Sequence, residues 1–152
     1  LDEALGANSD MQAPVLVFPH HGGLPGSEKP EEFVVKLLTA VKPKMVVFSV
    51  GRAKHDSPRP EIVSAVKKFN AAVHVACTQL SNNCAEILTP RTHKHLSSVF
   101  SAGAAKNTCC AGSLVVNLRT SSLARDFLYN HVDFVRNFVT TPLCEPKKNR
   151  IA

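Results

Sequence analysis

Apolar runs at residues 14–18, 45–50 and 113–118, and an alternating apolar stretch at 73–77, are separated by segments in which apolar residues recur every three or four positions. Runs this short favour strands over helices. A strand covered on both faces shows no polar positions, so 14–18 and 45–50 predict buried strands of a parallel sheet. After the first run, Phe33, Val34, Leu37, Leu38 and Val41 fall on one helical face. Pro30, Glu31 and Glu32 precede them, as a first helical turn favours, and Pro43 marks the end. Glu61 opens a second helix with Ile62, Val63, Val66 and Phe69 on one face. A third helix is predicted over about residues 123–139, carrying Phe127, Leu128, Val132, Val135 and Phe138. The pattern therefore predicts an α/β chain of about four strands and three helices.

Between these elements lie a loop at residues 24–30 and a ten-residue loop at 51–60. The second carries Arg52, Lys54, Arg59, His55 and Asp56, a polar density typical of strand-end loops that hold chemistry, although cations that solubilise an exposed loop read the same way. Residues 1–13 read as a short amphipathic lead-in with Leu1, Leu5 and Met11. Residues 84–108 mix short apolar groups with Pro90, His93, His95, Gly103 and Asn107, and they predict no regular element.

With 152 residues, 44% of them hydrophobic, the chain can bury one ordinary core. There is no internal repeat or low-complexity segment. No uninterrupted apolar run is long enough to span a bilayer, and no signal-peptide pattern precedes the first strand, so a cytoplasmic protein is expected. The chain opens on Leu1, from which missing upstream sequence is expected. A formal charge of +6 and a pI near 9.2 favour polyanionic partners such as DNA, without specifying one. Part of that charge sits in Lys147, Lys148 and Arg150, which read as a frayed basic end.

The first apolar run ends in Pro19-His20-His21-Gly22-Gly23. A strand that delivers two imidazoles to its C-terminal end and then turns sharply is one way α/β enzymes present metal ligands or acid/base groups. Alone, the motif fits a solvated turn equally well. The order that follows is more specific: a helix, a run ending Ser49-Val50-Gly51, then Pro58-Arg59-Pro60-Glu61, a helix, and a strand ending in Thr78. Over about residues 13–80 this order resembles the C-terminal half of metallo-β-lactamase-fold hydrolases, and most closely the nuclease-like domain of the competence (DNA-uptake) branch.

The resemblance implies half of an αββα sandwich in residues 1–80, with residues 81–152 as a cysteine-containing extension that completes or caps the same domain. It implies a bacterial metal-dependent phosphodiesterase, a DNA nuclease above all, using two ions of Zn²⁺ or Mn²⁺. In that family a histidine after a strand completes the ligand set. His20 and His21 both match it, with His21 as ligand and His20 in support, or the reverse. The family's HxHxDH signature and bridging aspartate are absent from the chain. The remaining ligands would then come from a missing N-terminal half or a partner chain, or the domain would be degenerate. The family's phosphate-contacting histidine in this loop aligns with Ser57, two residues beyond His55. His55 is the candidate substitute, with Arg52 and Lys54 supplying positive charge to a phosphodiester. The rival readings are a non-catalytic binding or assembly module that keeps the fold, and a hydrolase of small phosphoesters.

Five cysteines without a secretory pattern favour reduced thiols or metal ligands over a disulfide framework. Cys84, Cys109, His131 and Cys144 make one candidate structural Zn²⁺ set; simple burial of the thiols is the competing reading. His93 and His95 predict a surface cluster. Cysteine–histidine nucleophilic catalysis lacks a glycine-rich turn or helix N-terminus to activate a thiol.

Overall fold

The computed structural model describes residues 11–26, 29–52, 56–88, 93–96, 101, 103–117, 119–120 and 125–145. Three parallel strands, β1 (Val15–Val17), β2 (Met45–Phe48) and β3 (His74–Cys77), form one sheet in the order β1-β2-β3. The register aligns Val15 with Met45 and Met45 with His74. Helices α1 (Pro30–Val41) and α2 (Pro60–Phe69) make the two crossovers and pack against each other. Two right-handed crossovers advancing the same way place both helices on one face of the sheet.

Alternation along each strand then divides the core. Val46, Phe48, Val75 and Cys77 face α1 and α2, joining Val34, Leu38, Ile62 and Val66. On the opposite face Met45, Val47 and Ala76 are covered by Ala111, with Val15, Leu114 and Phe127 around them. Helix α3 (Arg125–Phe138) supplies Phe127 to this second face and sends Phe134 and Val135 into the main core. Helix boundaries follow the local chemistry. Both α1 and α2 open on proline with acids in the first turn, and α1 stops at left-handed Lys42, whose N–H donates to the Leu38 carbonyl (2.9 Å), just before Pro43.

The α/β class and the three helices agree with the pattern in the sequence. Two strand expectations do not hold. Residues 113–116 form no strand, with Val115 82% exposed; the segment that hydrogen-bonds to residues 77–79 at the end of β3 is the preceding 109–112. β1 is not buried on both faces: it is an edge strand with Val17 61% exposed. Among the described residues there is one sheet of three strands rather than four strands. Residues 1–10 and the basic tail lie outside the described residues, and no described helix is long and apolar enough to cross a membrane.

Candidate functional site

The C-terminal ends of the three parallel strands open on one edge, where β1 leads into His20 and His21, β2 into Ser49 to Arg52, and β3 into Thr78 to Ser81. His20 (φ 48°), His21 (φ 55°) and Gly22 (φ 79°) are consecutive left-handed residues, an arrangement that costs a β-carbon-bearing residue about 1–2 kcal/mol. Only glycine fits the third position. A β-carbon on Gly22 would stand 2.6 Å from Pro58 Cβ and 2.7 Å from Phe48 Cδ1. The turn is held from both sides: Arg59 N–H donates to the Gly22 carbonyl (2.9 Å), and Phe18 N–H to the Val47 carbonyl (2.8 Å).

This backbone turns both imidazoles outward, and both are exposed. His21 Nδ1–H donates to the Ser49 carbonyl at the end of β2, which fixes the tautomer and leaves Nε2 as the nitrogen with a lone pair. One ring nitrogen oriented by a carbonyl and the other outward is the usual arrangement of a metal-ligating histidine.

Thr78 braces the neighbouring loop. Its hydroxyl accepts from Val50 N–H (2.9 Å) and donates to the Val50 carbonyl (2.8 Å). Arg52, a sequence candidate for phosphate contact, is turned onto the protein itself. Its guanidinium donates to the Ser81 (3.3 Å) and Glu86 (2.7 Å) carbonyls, and its own N–H to Gln79 Oε1 (3.1 Å). The geometry gives it a positioning role on the 79–86 segment. Lys54 and His55 lie outside the described residues.

A second constellation, about which the sequence offered only fragments, lies between β3, α3 and residues 93–111. His74 Nε2 is 3.0 Å from His131 Nδ1, and His131 Nε2 is 3.5 Å from Cys110 Sγ. With His131 protonated on Nε2, it donates to the sulfur and accepts from His74. Phe127 stacks on the His131 ring at 7°. Burial holds His131 well below the usual imidazole range, aided by His74, His95 and His93 nearby; burial alone pushes His74 down to about 4. His95 donates to the Cys110 carbonyl (2.6 Å), while His93 touches both His95 and Asp133 Oδ2 (3.1 Å). The expectation of a surface cluster at His93 and His95 is corrected: both are half-buried against α3, since their partners come from forty residues away or from the 110 segment.

Of the zinc candidates, Cys84, His131 and Cys144 come into one buried neighbourhood, but Cys109 is turned from it. Cys109 lines a largely apolar cavity of about 650 Å³ with Leu80, Leu96 and Phe134, and the adjacent Cys110 takes the inward position. Successive side chains on extended backbone point opposite ways, so only one of the pair can face inward. No cysteine is in a disulfide. Among the described residues, no three His, Cys, Asp or Glu side chains converge on a common point that could hold a metal ion. No family model matches the chain, and neither the curated proteins nor the solved structures yield a significant match.

Proposed function

We propose that the chain is part of a metal-dependent phosphodiesterase acting on DNA, built on a metallo-β-lactamase-like half-sandwich. The supporting observation is His21: a left-handed residue at the C-terminal end of a parallel strand, its Nδ1 committed to the Ser49 carbonyl and its Nε2 outward. An imidazole held this way fits a Zn²⁺ or Mn²⁺ ligand, with His20 beside it in support. Bound there, such ions supply an activated water and positive charge toward a phosphate oxygen.

The chain's own residues position and complete that edge. Gly22 lets the turn close onto Phe48 and Pro58, Thr78 locks Val50, and Arg52 secures the loop after β3. Lys54, His55 and Arg59 in the loop after β2 supply cations and an imidazole for a phosphodiester, in keeping with the net charge of +6. The other metal ligands would come from polypeptide outside these residues or from a partner chain. Consistent with such a partner, the outer edge of β1 is unpaired among the described residues, and Val17 beside it is 61% exposed.

The test uses the protein with all of its polypeptide and any chain that co-purifies. Supercoiled plasmid should be nicked when Mn²⁺ or Zn²⁺ is present, nicking should stop with chelator, and His20→Ala combined with His21→Ala should abolish it. Nicking by the double variant at the normal rate would refute the site. Absence of any metal-dependent nicking would favour the non-catalytic module.

A further inference from the structure

Four of the five cysteines share one pocket of the core. Cys77 ends β3, Cys84 follows the turn at residues 81–83, Cys110 lies in the segment paired with β3, and Cys144 follows α3. Each is 5% exposed or less. Backbone hydrogen bonds join these segments in two pairs: Ala111 N–H to the Cys77 carbonyl (2.8 Å) and Cys110 N–H to the Thr78 carbonyl (3.2 Å), and Thr141 N–H to the Cys84 carbonyl (3.0 Å). Cys110 donates its S–H to Cys144, and each thiol of the four lies close enough to the others to affect its ionisation.

Buried thiols are common singly. Here four come from four separated segments, beside polar groups that an apolar core does not require. His131 is 1% exposed and aims Nε2 at Cys110 Sγ, while His74 orients its other nitrogen. Lys67 reaches over Cys144, donating to the Leu143 (3.3 Å) and Glu145 (2.7 Å) carbonyls on either side of it. An N–H donor and an ammonium are what a buried cluster of thiolates needs for compensation.

We infer that Cys77, Cys84, Cys110 and Cys144 form a structural tetrathiolate site for Zn²⁺, with His131 donating to the Cys110 sulfur from outside the ligand set. Binding converts four thiols and Zn²⁺ into a tetrathiolate complex of net charge −2 and releases four protons to solvent; no oxidation occurs. In the structure the four cysteines share the main core cluster, and their side chains do not converge on a common centre. A Zn–S bond of about 2.3 Å sets sulfurs about 3.8 Å apart around a tetrahedron, so binding of the ion draws the four sulfurs onto one centre. The site staples the poorly patterned residues 80–112 and the chain after α3 to β3, where no regular element does so.

The test is metal analysis and Co²⁺ substitution of the complete protein purified under reducing conditions. Expected are an intense thiolate-to-cobalt charge-transfer band with tetrahedral d–d bands, one such ion per chain, and loss of the band in Cys110→Ser and Cys77→Ser. Cys109→Ser should keep it. So should His20→Ala with His21→Ala, which separates this site from the strand-end edge. A cobalt spectrum of the unmodified protein without thiolate charge transfer would overturn the inference whether or not the serine variants fold. So would equal loss in Cys109→Ser, or a Cys110–Cys144 disulfide in the reduced preparation.

Discussion

His74 on β3 and His131 on α3 meet nitrogen to nitrogen at 3.0 Å, a hydrogen bond that requires at least one of the two rings to be neutral. Burial of the two rings makes stability depend on pH, because it disfavours their charged forms. Folded His74 titrates at about 4 and folded His131 well below its ordinary value, whereas both unfold to side chains near 6.5. Above that value neither state binds a proton, and the stability is fully present. Below it the unfolded chain takes up protons first, so stability falls with pH down to about 4, by on the order of 3 kcal/mol from His74. Urea denaturation across that window should show the loss; a flat midpoint between pH 7 and 5 would contradict it.

His131→Ala should destabilise the protein by about 3 kcal/mol, through the cavity beneath Phe127 and the partners removed from His74 and Cys110. The denaturation midpoint reads this directly. A change under about 1 kcal/mol would mean that the ring is not integral to the core.

Gly22→Ala should cost about 2–4 kcal/mol, since the left-handed backbone and the overlap with Phe48 and Pro58 add. Gly51→Ala is the matched control. Its β-carbon meets nothing within 4 Å, so its melting temperature should stay near that of the unmodified protein. Equal melting temperatures for the two variants would contradict the packing around the histidine turn.

The contrast between these positions shows what was legible in the sequence. Met45 to Phe48, α1 and α2 were readable because their burial follows a local period and their ends carry local signals, Pro30 and Glu61 at the starts and Pro43 at a stop, with the second helix beginning one residue earlier, at Pro60. Val17 reads as buried and residues 113–118 read as a strand because an apolar run does not say whether another strand or helix arrives to cover or pair with it. His131 appeared only as a possible ligand, and its partners His74 and Cys110 are 57 and 21 residues away, a distance no periodicity spans. The choice of Cys110 over Cys109 was likewise set by the antiparallel bridge of Cys109 with Gln79, a tertiary contact.

Arg52→Ala should loosen residues 80–86, whose Ser81 and Glu86 carbonyls lose their donor. Hydrogen exchange of that segment should rise severalfold while α1 stays protected. Unchanged exchange there would return Arg52 to the role of a substrate-facing cation.

The bond between His21 Nδ1 and the Ser49 carbonyl separates two adjacent histidines that the sequence could not rank. The most direct measurement is the metal-dependent nicking rate of His21→Ala against His20→Ala, each with an unchanged melting temperature. Loss of a ligand exceeds the roughly 10–100-fold typical of an outer-shell partner. His21→Ala should therefore fall by more than about 100-fold, while His20→Ala retains measurable cleavage. Cleavage by His21→Ala at the normal rate would contradict the assignment of His21 as the metal-binding residue of this edge.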